Sequence, residues 1–503
     1  MRSHSTWLLA GAALLPLAVP AAVHAEPYRF HYDHVLGTSL DITAMASDES
    51  SALMAVTAAR HEIARLDPIL SAWREDSELQ HLNRSASAQV SPDLYAVLAR
   101  AEHWRAVTDG AFDCRTGGAL AIWRGAEASG KPVDAARLNR TLASALDSLR
   151  LEGAARIVHR PEGVRLTVDG VAKGYVIDAA LAAARKASPN LHGLMIDIGG
   201  DLRCWGRAPQ ASGWSVGVAG PREADNLQPA LALRLHDQAV AASGRGDRDL
   251  KIAGGAVSHT LSPATGRPVA HVQHAVVVAA TATDADALAT AFMVMAPRDA
   301  IALADRTQDV EVQVVDHAGT RHSSRGWADL QSPPAGLIKA SFASSAIAAV
   351  APAAAGKSIG LDLTYQVPKI DAEPYHAPYV VMWVTDENRQ MVRTLAVLGN
   401  KPKWAPENFV WWRRYGRQAP QVLDTVARAS RLPGRYNLSW DGKDDDGKPV
   451  AAGKYILHIE ASREKGGHTY QTVDLDLNGA AGSKALPAKD EMGPVDLKFG
   501  PGV

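Results

Sequence analysis

The stretch LTVDGVAKGYVIDAALAAARKASPNLHGLMIDIGGDLRCWG, Leu166–Gly206, opens on a short apolar, β-branched run and then breaks at a turn. The turn is Asp169-Gly170-Val171-Ala172-Lys173-Gly174-Tyr175. From Val176 to Lys186 the chain is alanine-rich, with apolar residues at helical spacing. A second apolar run, Leu194–Ile198, leads into Gly199-Gly200-Asp201. The pattern predicts a strand–helix–strand unit. Glycines at the entry to a helix let the backbone approach a ligand, and the unpaired N–H groups of the helix start favour an anion. An ordinary unit with convenient turn glycines carries the same signature. By itself, then, the stretch leaves a binding turn and a plain turn both open.

Outward from this unit, the composition bounds the problem. At 503 residues the chain is long for one domain, and two or three are expected. The 54 acidic and 53 basic residues nearly cancel, with no long block of one sign. That balance argues against an electrostatic nucleic-acid binder. Residues 1–25 read as a secretory signal peptide: Arg2, an apolar stretch from Trp7 to Val19, and Val23-His24-Ala25 before Glu26. The apolar stretch is short for a membrane span, and no other reaches about 18 residues. The expectation is a periplasmic or secreted protein with no transmembrane anchor in the mature chain. Its two cysteines, Cys114 and Cys204, either pair in an oxidising compartment or stay as thiols. Without a CxxC they support neither structural zinc nor a redox motif.

Leu53, Val56, Ile63 and Leu66 recur every three or four positions, which predicts an amphipathic helix over Ser51–Leu66 that ends at Asp67-Pro68. A second helix is expected over Leu94–Thr108. Val216–Val218, Leu231–Leu235 and Ala239–Ala242 read as strands of an antiparallel sheet. In Asp284–Met295, Asp286 and Thr290 are four apart and share a helix face. A carboxylate and a hydroxyl, joined by carbonyls and phosphate oxygens, are hard ligands suited to magnesium. Thr283 or Asp284 is the expected N-cap of that helix. Residues 331–357 are rich in Ala, Ser and Pro and read as a linker. The domain that follows, 358–503, has alternating strands such as Tyr379–Val384 and Tyr455–Glu460, and tryptophans at Trp404, Trp411 and Trp412. Its WDGKDDDGKPVAAGKY segment, Trp440–Tyr455, reads as a hairpin of an antiparallel β-sandwich. It is no EF-hand loop, because the sixth position from Asp441 is Asp446 where glycine is needed.

Eight segments occur in an order that resembles the ApbE family of FAD:protein FMN transferases. They are LGT (Leu36–Thr38), LSAWREDSELQHLN (Leu70–Asn83), GAFD (Gly110–Asp113), DGVAKGY (Asp169–Tyr175), DIGGDLRCWG (Asp197–Gly206), ASGRGDR (Ala242–Arg248), SHTLSPATGRPV (Ser258–Val269) and ATDADALATAFMVM (Ala282–Met295). The resemblance implies an α+β fold: a two-lobed flavin transferase domain over 26–330, followed by the predominantly antiparallel, sandwich-like C-terminal domain. That second domain resembles exported β-sandwich proteins of unknown function. The resemblance further implies FAD as substrate, a bound magnesium ion, and an exported acceptor flavoprotein whose Ser or Thr hydroxyl receives FMN.

Residue by residue, the family's metal site maps to Asp286, Thr290, Ala289 through its carbonyl, and Gly170 through its carbonyl. Its FAD contacts map to Leu36, Trp73, Ala111, Phe112, Asp113, Thr167, Lys173, Thr260 and Leu261. Trp73 stands where the family often has tyrosine and suits stacking on a ring. Three positions depart from the pattern: Thr167 replaces an aspartate, Asp169 a glycine and Ser262 an aspartate. His259 is the general-base candidate, since an imidazole near neutral pKa can accept a hydroxyl proton. An FAD pyrophosphatase with water as nucleophile, and a flavin-binding protein without catalysis, are the rival readings.

Overall fold

The computed structural model describes residues 25–331, 338–339 and 359–501, apart from 146–148, 211, 219–230, 247–248, 253–254, 369–377, 400–405, 418–426, 429–433, 446–447, 464–465 and 479–480. The expected signal peptide, except for Ala25, and most of the expected linker lie outside the described residues, as does Trp404. No described helix is long and apolar enough to cross a membrane.

The first unit is built on an eight-stranded sheet. Its order is Glu26–Val35, Thr38–Ala46, Leu191–Ile198, Asp201–Gly206, Ala239–Gly244, Val272–Ala279, Glu311–Asp316, Arg321–Ser323. Every neighbouring pair is antiparallel. Side chains alternate between its faces. Leu40, Ile42, Leu194 and Ile196 face a helical layer made of Glu49–Leu70, Pro92–Val107, Ala172–Ala187 and Ala282–Val294. Met45, Met195, Leu202 and Cys204 face a second core shared with the strands Trp214–Val218 and Leu231–Leu235. Those two strands form a separate sheet, so the expectation that they share one with Ala239–Gly244 is corrected. Cys114 and Cys204 are buried free thiols in different cores, and burial raises both thiol pKa values.

Three local expectations also change. The helix from Glu49 runs through Pro68 to Leu70. Proline in the last turn forfeits one i→i−4 bond near an end where the ladder is already running out, and Ser71 N–H still donates to the Asp67 carbonyl at 3.0 Å. Val164, Leu166 and Val168 are buried in alternation, yet Leu166–Val168 is not a ladder strand. Its partners are not another strand: Asn83 takes both the N–H and the C=O of Leu166, and Thr167 N–H donates to the Cys114 carbonyl. Thr281, rather than Thr283 or Asp284, caps the helix Ala282–Val294 by accepting from Asp284 N–H.

The helices Ala172–Ala187 and Ala282–Val294 cap one another. Asp286 accepts from Gly174 N–H at 3.0 Å, and Asp178 accepts from the N–H groups of Ala282 and Thr283 at 2.9 Å each. Only glycine permits this approach: a Cβ on Gly174 would lie 2.1 Å from the Ala282 carbonyl oxygen. Backbone stands on both sides, so relief means parting two capped helices. We expect Gly174→Ala to cost about 2–3 kcal/mol, as overpacking does, read as a lowered melting temperature. A parental melting temperature would mean that the two helices separate freely.

The second unit is a sandwich of two predominantly antiparallel sheets. One has the order Gly434–Trp440, Ile359–Val367, Val495–Pro501, Gly482–Leu486; in the other, Met391–Leu398, Tyr379–Asp386, Lys454–Ser462 and His468–Asp476 are antiparallel neighbours. Leu361, Leu363, Met382, Leu457 and Leu497 from both sheets fill the space between. The segment Trp440–Tyr455 therefore crosses between sheets and is not the expected hairpin. Trp411 packs with Val381, Trp383 and Val397 on the outer face of the second sheet. The strand Gly434–Trp440 lies along Glu26–Val35 of the first unit, where Arg435 pairs with Glu49 and Asn437 donates to Tyr32 Oη at 3.4 Å.

On that outer face His458 is 3% exposed, stacked on Trp383 at 4.8 Å and bonded to Tyr470 Oη and Thr385 Oγ1. Burial, reinforced by Arg389 and Arg414, lowers its pKa to about 4. The unfolded chain, titrating near 6.5, binds more protons than the native state between those values. Stability is therefore full above about pH 6.5 and is lost as pH falls toward 4. The parent should lose about 2 kcal/mol more than His458→Gln between pH 7 and pH 5 in urea unfolding. Equal losses would show that His458 charges as easily folded as unfolded.

Candidate active site

Two hairpin turns meet at one end of the large sheet. Leu36 and Gly37, with φ of 51° and 75°, join the first two strands. Gly199 and Gly200, with φ of 58° and 96°, join Leu191–Ile198 to Asp201–Gly206. Two successive positive φ values suit the twist of a two-residue hairpin loop. A Cβ on Gly199 would sit 2.5 Å from Thr38 Oγ1, so the turns pack side by side. Asp201, just past the second turn, holds Lys173 Nζ at 2.8 Å. Lys173 lies in the first turn of its helix, where the positive dipole end adds to its own charge in favouring an anion.

Beside this, the turn at Gly170 approaches the Asp286 helix. A Cβ on Gly170 would stand 2.8 Å from Thr290 Oγ1 and 3.3 Å from the Phe112 ring. Asp286 lies four residues before Thr290 and is 5% exposed. The fold thus sets Gly170 beside Thr290, on the helix that also carries Asp286. Ala289 precedes Thr290 with its methyl in the core. The described residues hold no cluster of three His, Cys, Asp or Glu side chains poised for a metal. Magnesium does not need one: it takes one or two carboxylates and completes its shell with water and substrate phosphates. One carboxylate, one hydroxyl and a nearby backbone turn beside a lysine fit that pattern. Asp284, two residues before Asp286, is engaged away from this turn: it accepts from Arg100 Nε and Trp104 Nε1 and is bonded to Thr281 Oγ1.

A cleft of roughly 890 Å³ opens next to this turn. It is lined by Val164–Thr167 with Asp169, by Ala72, Trp73 and Gln80 around the loop after Leu70, and by Gly117, Leu120 and Arg124 of the helix Gly117–Ser129. Trp73 is 51% exposed, as a ring platform would be. Its loop is pinned by Ser71 Oγ, which accepts from Trp73 and Arg74 N–H, and by Gln80 Nε2, which donates to the Ala72 carbonyl. Thr167 lines the cleft. Ala111 is half-buried and Phe112 is buried behind Gly170. The carboxylate of Asp113 is already engaged by Arg115 and Arg105, so it orients its own turn. Leu261 packs with Ala119, Ile122 and Leu138 against the helix Gly117–Ser129, and Thr260 is buried beside it.

His259 lies on this same segment with its side chain 27% exposed. Its Nδ1 faces Asp249 Oδ1 at 3.9 Å, and Arg245 Nε holds the other Asp249 oxygen at 2.6 Å. Burial raises the Asp249 pKa, but His259 and Arg245 outweigh it and keep the carboxyl below its ordinary range. Sequence reasoning missed Asp249: it sits ten residues from His259, and only the fold of the intervening strands faces them together. It missed Asn83 too, which carries Leu166 of the cleft lining.

Residues 360–494 match a family described as "Predicted periplasmic protein (DUF2271)", and residues 36–314 match the ApbE family. The FAD:protein FMN transferase of Vibrio cholerae is 28% identical over 253 residues, 49% of this chain and 75% of that protein. That of Treponema pallidum is 30% identical over 255 residues, 47% of this chain and 69% of that protein. The crystal structure of the ApbE protein from Thermotoga maritima has a TM-score of 0.56 at 26% identity, covering 61% of this chain and all of that one. The apo form of Pseudomonas stutzeri flavinyl transferase ApbE has a TM-score of 0.53 at 23% identity, covering 61% and 97%, a likeness of fold. The motifs that fold together here fall within the matched residues 36–314 of 503, and the chain belongs to the ApbE family.

Proposed function

We propose that this chain transfers FMN from FAD to a Ser or Thr hydroxyl of an exported acceptor protein and releases AMP. The observation that carries the reading is the convergence of Gly170, Asp286 and Thr290 beside Lys173, at the edge of the Trp73 cleft. Asp286, Thr290 and the Gly170 and Ala289 carbonyls would hold magnesium, which supplies charge stabilisation at the pyrophosphate. Trp73 and the cleft lining at Thr167 position the ring system; Lys173, steadied by Asp201, binds phosphate oxygens. His259, oriented by Asp249, takes the proton of the attacking hydroxyl. The hydroxyl oxygen forms the new bond to the FMN phosphorus, the bond from that phosphorus to the bridging oxygen breaks, and AMP leaves with the bridging oxygen. The unit that does this is 26–330, exported by residues 1–25, and the match of the C-terminal domain to a periplasmic family supports that location.

The test is to incubate the full chain with FAD, magnesium and a candidate exported flavoprotein, and to weigh the acceptor by mass spectrometry. A gain of one FMN with stoichiometric AMP is expected. Free FMN and AMP formed equally without any acceptor would make the protein an FAD pyrophosphatase. Bound but unchanged FAD would leave a flavin binder.

A further inference from the structure

Trp73 and Arg124 both line the cleft, and their side chains touch. The Arg124 guanidinium carbon lies 3.9 Å from the centroid of the Trp73 ring. That is ordinary contact spacing, so nothing fits between them, and a planar ring inserted there needs about 7 Å of separation. Arg124 comes from the helix Gly117–Ser129 and Trp73 from the loop after Leu70, so the contact joins two elements of the cleft lining. Burial lowers the Arg124 pKa, Asp169 and Glu127 oppose that effect, and Arg165 adds to it. Asp169 and Glu127 thus lie near the guanidinium where it stacks on Trp73.

We propose that Arg124 caps the ring platform, covering one face of the Trp73 ring until the planar ring of FAD displaces it. This rests on the reading of the cleft as the ring site for FAD. Arg124 then acts on affinity through Trp73: the stack is made in the free protein and forfeited on binding. A guanidinium over an exposed indole is worth about 0.5–1 kcal/mol. Arg124→Ala should accordingly bind FAD about two- to five-fold more tightly. Arg124→Lys should fall between, because an ammonium keeps the charge but cannot lie flat on the ring.

The experiment titrates the full chain with FAD in magnesium, by calorimetry and by quenching of tryptophan emission. It compares the parent, Arg124→Ala, Arg124→Gln, Arg124→Lys, Trp73→Ala and the Trp73→Ala/Arg124→Ala double variant, each with its melting temperature. Expected are tighter binding on loss of Arg124, weaker binding and lost quenching on loss of Trp73, and no gain from Arg124→Ala once Trp73 is gone. A general structural role for Arg124 does not produce a gain that depends on Trp73. If Trp73→Ala weakens binding but both Arg124→Ala and Arg124→Gln bind equally or more weakly than parent, the cap is overturned and Arg124 is a ligand contact or plain wall. If Trp73→Ala leaves FAD affinity unchanged, the platform reading fails and the cap falls with it.

Discussion

Asp286→Asn retains the fold and binds FAD, but turns over at most about one-thousandth as fast as the parent at saturating magnesium. Asparagine is the informative replacement because Asp286 has two duties. One oxygen accepts from Gly174 N–H and holds the start of the Lys173 helix. Asparagine keeps a carbonyl there, whereas alanine would also strip that helix of its cap, at about 1 kcal/mol. The second duty is charge. Among the four residues assigned to the metal, Gly170, Ala289 and Thr290 contribute neutral oxygens, and Asp286 brings the formal negative charge. Magnesium sheds water reluctantly and binds through anionic oxygen, so affinity should collapse with that charge. Calorimetric titration with magnesium, read beside turnover, separates lost metal from lost fold. A variant with parental magnesium affinity and rate would put the metal elsewhere.

The second large effect falls on His259. A neutral hydroxyl is a poor nucleophile, and its attack on phosphorus is helped when a base removes the proton. Lys173 Nζ is engaged by Asp201 at 2.8 Å, and its place beside the turn suits phosphate oxygens rather than the hydroxyl proton. His259 retains exposed ring surface and faces a carboxylate fixed by Arg245. His259→Ala should bind FAD with near-parental affinity and transfer FMN at least about 100-fold more slowly. Asp249→Asn, which leaves the imidazole but removes its charged orienter, should lose less. Transfer at the parental rate in His259→Ala would remove the histidine from the mechanism and turn attention to Asp169. Loss of FAD binding would make it a binding residue.

Much of the candidate site was legible because its chemistry is local in sequence. Asp286 and Thr290 share a helix face by spacing alone, and the Lys173 turn is marked by its glycines. Elsewhere local pattern and outcome parted. Val164, Leu166 and Val168 alternate as a strand does, but the side chain of Asn83, far away in sequence, occupies the backbone partner position. Trp440–Tyr455 has the composition of a hairpin, yet the strands it joins belong to different sheets. Turn residues specify that the chain reverses or bends; they do not specify which strand it next pairs with.

The sequence by itself determined most of the element types, the order of the motifs, and which residues are candidates for hard-oxygen, phosphate-binding and proton-accepting chemistry. Those follow from periodicity, turn geometry and functional groups, which are properties of a few neighbouring residues. Tertiary structure alone decided that Gly174 is the contact point of two mutually capped helices, that Asp113 serves Arg115 and Arg105, and that Asp249 faces His259. It also decided that Arg124 lies across Trp73. Each of these depends on which surfaces meet when distant segments pack, and a polar side chain is committed to whichever partner burial brings within reach.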